Sequence, residues 1–235
     1  STGDGYAWAR AAGHTVVPPQ PSLVPLNAAG DFCRACMGLS LKNVRLSFRT
    51  ADGRELYDET GEMLFTHFGV SGPVVLSASA YLRGRYPCEL YIDLKPALSA
   101  EALDRRLLRD FSENANRDFI NALDALLPQK LIAPFVSLTG IDPRKKVHEI
   151  TREERRALLQ KLKALHLTIT SPRPIAEAIV TAGGVDVREV DPKTMRSKKV
   201  QNLLFAGEVL DVDAYTGGYN LQIAFSTGYL AGQNC

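Results

Sequence analysis

The feature that most restricts the folds open to this chain is a change of hydrophobic period near residue 98. Val44, Leu46 and Phe48 alternate with Arg45, Ser47 and Arg49, the two-residue repeat of a strand with one buried face. Ala51-Asp52-Gly53 supplies a turn, and Glu55 to Tyr57 returns as the partner strand. Glu62 to Phe65 and Cys88 to Leu94 read as further short strands, so residues 39–94 predict a small antiparallel barrel or sandwich. From Ser99, a helix cap, the repeat lengthens: Leu103, Leu107 and Phe111 share one helical face. Thr151 and Glu154 form a capping box ahead of Leu158, Leu162 and Leu165, and Leu167 to Thr170 resumes strand patterning.

Both ends of the chain read differently. Tyr6 to Ala12 is helical and stops at Gly13, and His14 to Val17 is a short strand ended by Pro18-Pro19. The opening Ser1-Thr2-Gly3-Asp4-Gly5 runs straight into that helix, which predicts that the first residues continue an element begun earlier. At the other end, Asn202 to Phe205 reads as a buried strand, Ala206 to Tyr215 as a loop, and Gly217 to about Gly232 as a helix carrying Leu221, Phe225 and Tyr229 on one face.

Charge and cysteine content exclude several classes. With 28 Lys plus Arg against 26 Asp plus Glu and 45% hydrophobic residues, the chain has neither the composition of a disordered protein nor a general attraction for polyanions. Its apolar runs are far short of the ~20 residues that cross a bilayer. Four cysteines do not make a disulfide framework, and no basic-then-apolar leader opens the chain, so a cytoplasmic setting is expected. Cys33 and Cys36 have the spacing of a redox dithiol or half a zinc site. Without a second such pair, packing is the expected role and no metal is expected.

The strongest chemical signal is Leu203 to Glu208 followed by Asp211 to Gln222. A buried strand ends at Gly207, Glu208 follows, and Gly217-Gly218 opens a helix. Adjacent glycines let a ligand approach main-chain N–H groups at the positive end of a helix dipole, which suits an anion or an electron-rich carbonyl. The alternative is a tight loop whose glycines meet only backbone demands.

In this stretch the sequence resembles the aminoacetone-oxidase-like FAD-binding flavoproteins, a family that includes bile-acid dehydro-reductases and bacterial NAD(P)/FAD-dependent oxidoreductases. The resemblance rests on Ser1 to Tyr6, Thr66 to Pro73, Thr181-Ala182-Gly183-Gly184-Val185, Thr194 to Lys198, and Phe205 through Gly228, in the family's order. It implies a bacterial flavoprotein of α/β class with an α+β insert, a remnant of a Rossmann-like FAD domain interrupted by a β-barrel-like and a helical subdomain. The implied divisions are 1–30 and 181–235 for the FAD domain, 31–98 for the β-rich insert, 99–165 for the helical subdomain and 166–180 for a return strand. Implied FAD-binding residues are Gly207, Glu208, Gly217, Gly218, Tyr219, Asn220 and Leu221, with Gly183 and Gly184 as lesser candidates. The implied reaction moves a hydride equivalent between flavin and a small organic substrate, with NAD(P)H or oxygen as the other redox partner.

One departure limits the carry-over. The family's G-x-G-x-x-G turn is absent; the nearest match, Gly3-Asp4-Gly5, has Trp8 at its third position. The resemblance therefore implies a fragment of a longer enzyme. Residues 1–235 alone are expected to hold FAD poorly, to be inactive, and to self-associate through the face left by the missing half. The competing expectation is a binding or interaction module with a vestigial flavin motif.

Three weaker signals complete the reading. His67, in the Thr66–Pro73 motif, can move a proton beside a flavin or simply brace a strand-to-helix turn. Gly69-Val70-Ser71-Gly72 departs from a nucleophile elbow in its glycine spacing, which argues against a Ser71 hydrolase. Arg144-Lys145-Lys146 with Arg152, Arg155, Arg156, Lys161 and Lys163 is interleaved with Glu149, Glu153 and Glu154, the pattern of a solvated helix face. A small-molecule substrate is expected, with no nucleic acid and no membrane partner.

Overall fold

The structure is a computed structural model that describes residues 2–235 and divides them into two units, residues 2–25 with 172–235, and residues 26–171.

The central unit is a closed six-stranded barrel with helices inserted before its last strand. Its strands are β2 (Leu26–Ala28), β3 (Ser40–Arg49), β4 (Glu55–Phe65), β5 (Gly69–Ser71), β6 (Cys88–Asp93) and β7 (Leu165–Pro172), in spatial order β2-β5-β4-β3-β6-β7. β6 and β7 show why the chain folds this way: Cys88, Leu90, Ile92 and Leu165, Leu167, Ile169 alternate inward with polar residues between them. β3 departs from strict alternation at a bulge between Leu41 and Val44, where Asn43 takes φ 54° and both Lys42 and Asn43 turn outward. α3 (Pro73–Ser79) packs so tightly on β4 that a Cβ on Gly61 would lie 2.5 Å from Val74 Cγ2.

Between β6 and β7 run α4 (Ala100–Glu113), α5 (Phe119–Ala122), α6 (Gln129–Thr139) and α7 (Arg152–Lys163). Ser99 Oγ accepts from Ala102 N at 3.2 Å, and Thr151 and Glu154 close the reciprocal capping box. Leu103, Leu107 and Phe111 of α4 and Leu158 and Leu162 of α7 are buried, and Asp104 and Arg155 tie the two helices at 2.8 Å. One continuous hydrophobic cluster joins barrel and helices. The β-rich and helical parts distinguished by sequence period thus share a single core.

The terminal unit is built on α1 (Asp4–Ala11), β1 (Val16–Ser22), β8 (Val180–Val185) and α8 (Tyr219–Gln233). β1 and β8 pair antiparallel, and the pairing continues past the prolines expected to end the strand. Pro18 and Pro19 fall in a bulge between Val17 and Gln20, where no ladder N–H is required. Asn202 to Phe205 forms no strand: Asn202 takes φ 60°, and among the described residues the segment makes one bridge, Arg196 to Leu204. The parallel pairing typical of a dinucleotide-binding sheet is limited there to the bridge Val185 to Leu210. A small core of Ala9, Val185, Val190, Met195, Phe205 and Leu210 holds the unit together. No helix among the described residues is long and apolar enough to cross a membrane.

Candidate functional site

α8 begins at a glycine pair. Gly218 is its N-cap in left-handed geometry (φ 94°), with no side chain capping it, so the first-turn N–H groups at the helix start lack intrahelical acceptors. Open space surrounds the Gly218 Cα, and Gly217 (φ 107°) faces the Tyr219 ring. In front of this helix start lies a cleft of about 350 Å³. Gly207, Glu208, Gly217, Gly218, Asn220 and Leu221 all line it, and Leu23, Val180, Val212 and Ile223 supply apolar walls.

The side chains around the cleft are held by specific bonds. Glu208 Oε1 accepts from Thr181 N at 2.7 Å and Thr181 Oγ1 at 2.9 Å, tying the turn Gly207–Val209 to β8. Gly207 N donates to Thr227 Oγ1 at 3.0 Å, fixing that turn to α8. Asn220 Oδ1 accepts from Ala214 N at 2.8 Å, and its Nδ2 donates to Ala214 O at 2.9 Å. The Asn220 amide is thus spent on shaping the loop. Tyr219 is exposed beside the cleft.

Gly183 and Gly184 sit elsewhere. Both are buried in β8 at positive φ; a Cβ on Gly183 would lie 2.5 Å from Pro18 O, and one on Gly184 2.5 Å from Val209 O. Close backbone packing accounts for both glycines. His67 belongs to the barrel unit, exposed before β5 with its ring edge-on to Phe68 at 4.9 Å. The glycines of its motif also pack: a Cβ on Gly69 would fall 2.2 Å from Leu26 O, and one on Gly72 2.8 Å from Met63 Cα. Ser71 stands at a strand-to-helix turn whose tightness serves barrel closure.

Other candidates resolve by environment. Burial pushes the Cys33 thiol up to about 12 and the Cys36 thiol to about 11, the behaviour of core sulfur and not of a redox dithiol. Lys145 pairs with Glu154 at 2.7 Å, Lys146 with Asp118 at 2.8 Å and Arg155 with Asp104 at 2.8 Å, so much of the basic run is neutralised within its own unit.

Sequence reasoning missed a polar cluster around the buried His14 in the terminal unit. His14 Nε2 bonds Ser197 Oγ at 2.7 Å, while Nδ1 lies 3.1 Å from Glu189 Oε2 without the alignment of a hydrogen bond. Glu189 is clamped by Lys199 Nζ at 2.6 Å and by Thr15 N at 2.9 Å, which holds its carboxyl down to about 2. Ser197 Oγ also accepts from Lys199 N and Val200 N, which ties it into the turn that follows. The cluster is a brace. Its only sequence signal was Ser197 within the Thr194–Lys198 motif.

The residues present fit the ring end of FAD. The walls are apolar, main-chain donors converge at the helix start, and the volume falls in the range of small-ligand clefts, roughly 300–1,000 Å³. The start of α1 does not fit a pyrophosphate, because Asp4 already places a carboxylate in its first turn.

Comparison with known proteins gives the same region a context. The chain is 34% identical over 99% of its length to the 3-dehydro-bile acid delta(4,6)-reductase of Clostridium scindens, covering 58% of that protein. It is 33% identical over 96% of its length to the ribosomal RNA dihydrouridine synthase of Haemophilus influenzae, covering 54%, and 32% identical over 98% to that of Escherichia coli, covering 55%. The chain thus spans little more than half the length of these relatives. A family profile described as the HI0933-like protein barrel and H2TH domain matches residues 20–180, the stretch that contains the barrel and its helices. With most of its residues matched by that profile, the chain belongs to the HI0933-like family.

Proposed function

We propose that this chain is part of an FAD-dependent oxidoreductase that adds hydrogen across an electron-poor carbon–carbon double bond. The observation that carries the reading is the convergence of Gly207, Glu208, Gly217, Gly218 and the start of α8 on one apolar cleft. FAD held there would, once reduced by NAD(P)H, supply the hydride for the double bond. The chain's own contribution is positional. The uncapped first turn of α8 stabilises negative charge placed before it, with no cationic side chain needed. Leu23, Val180, Val212 and Ile223 exclude water, and the Glu208–Thr181 bonds keep the Gly207 turn rigid.

The substrate class follows from the relatives' names. Both describe reductions, of a 3-dehydro bile acid in one and of uridine in ribosomal RNA in the other. Carried to this chain, the shared chemistry is hydride addition to a ring double bond conjugated with a carbonyl. A small-molecule enone is the first reading. The two relatives named for ribosomal RNA favour a second, in which the ring is a uridine within RNA.

Purification of the product of the complete gene tests the proposal. The expected protein is yellow, is bleached by NAD(P)H, and is reoxidised by a conjugated enone or by uridine-containing RNA, whichever is the substrate. A colourless protein that FAD cannot reconstitute overturns the reading and leaves an interaction module.

A further inference from the structure

We propose a second ligand site, for a phosphate group, in the barrel unit, where Lys42, Lys95 and Arg106 line a cleft of about 370 Å³. It stands apart from the flavin reading and uses none of the same residues.

Three elements build it. The β3 bulge turns Lys42 and Asn43 outward together, the chain after β6 brings in Lys95, and α4 contributes Arg106. Asn43 adds an amide, and no carboxylate is in the lining. The acceptors nearby are already taken: Lys163 Nζ donates to Lys95 O at 3.1 Å and Leu98 O at 2.7 Å and pairs with Asp93 at 2.5 Å. Arg106 is fixed by Ala125 O at 2.9 Å and Asp110 at 3.3 Å, which sets its guanidinium in place. Burial, then the charge of Arg106, lowers the pKa of the Lys95 ammonium from its ordinary value, as expected of like charges facing one another.

The contrast with the basic run decides where an anion goes. Lys145, Lys146 and Arg155 each have a carboxylate partner; in this cleft Arg106 is paired with Asp110 through Nε, but Lys42 and Lys95 make no ion pair among the described residues and face one concave surface from separate elements. Two lysine point charges beside a guanidinium fork match phosphate oxygens better than a single carboxylate. A narrower cleft of about 90 Å³ shares Lys42, Leu94 and Lys95 and continues to Leu127 and Leu131. The ligand is therefore a phosphate with an apolar or ring substituent beside it, carried by a free nucleotide or by an RNA strand.

The test is equilibrium binding of inorganic phosphate, NADPH and a short uridine-containing RNA to the 235-residue chain. Lys42→Met/Lys95→Met is expected to weaken the tightest of the three by tenfold or more, while Lys146→Met leaves it unchanged. A loss confined to RNA, with its salt dependence flattened by about 1.4 in log–log slope, assigns the phosphate to a strand. A loss confined to NADPH assigns it to a nucleotide. If the double variant melts early, Lys42→Arg/Lys95→Arg must retain binding. The proposal fails if wild type binds none of the three, if Lys42→Met/Lys95→Met binds as wild type does, or if the Arg variant loses binding.

Discussion

At the scale of single residues, Gly183 and Gly53 separate two uses of glycine. Both have positive φ, but a Cβ on Gly53 meets open space, whereas one on Gly183 strikes Pro18 O at 2.5 Å. Gly53→Ala is expected to cost only the left-handed backbone term, ~1–2 kcal/mol. Gly183→Ala adds a backbone collision and should cost clearly more, which urea unfolding of the two variants compares directly. Glu189 and Asp186 set a pH dependence. Lys199 and Thr15 hold the Glu189 carboxyl, and Arg188 the Asp186 carboxyl, at about 2. Both lie below their unfolded values of 4.5 and 3.8, so between those limits the unfolded chain binds more protons. The stabilisation is complete above about pH 4.5 and is lost as pH falls towards 2. Melting midpoints measured across this window should drop in wild type and drop less in Glu189→Gln.

At the scale of elements, α8 presents Leu221, Phe225 and Tyr229 to solvent at 62%, 69% and 70% exposure, and the helix buries no residue. A row of large apolar side chains at helical spacing favours association, so the 235-residue chain should self-associate through it. Sedimentation velocity should show concentration-dependent dimers that Phe225→Glu removes; unchanged dimers would place the contact elsewhere. The same helix shows what was legible in the sequence. Its start, the capping box of α7 and the alternation of β6 were all readable, because each depends on neighbours within a few residues. β1 was cut short because proline reads as a strand breaker, and only a partner with a bulge shows why it continues. Asn202 to Phe205 read as a strand on hydrophobicity alone, and no neighbouring strand meets it along its length. In the cleft, Gly217 and Gly218 carried a signal. Leu23 and Val180 carried none, since ordinary aliphatic residues acquire a role only from distant chain. Lys42, Lys95 and Arg106 were unremarkable for the same reason.

At the scale of the whole molecule, the chain leaves the terminal unit after Pro25 and rejoins it at Pro172. Within the central unit, the residues just inside those crossings are adjacent: Asn27 Nδ2 donates to Ser171 Oγ at 2.9 Å. Residues 26–171 therefore hold a complete core and close on themselves, and should fold alone with a single cooperative melt. Gradual melting of that fragment would show that the barrel needs the terminal unit. The proline content of β1 has a consequence for the order of events during synthesis. β1 ends at Ser22, but β8 starts only at Val180, about 160 residues and on the order of ten seconds later at the usual rate of elongation. Throughout that wait Pro18, Pro19 and Pro21 leave the segment short of main-chain donors, so a nascent strand with no partner is a poor template for joining another chain on the ribosome.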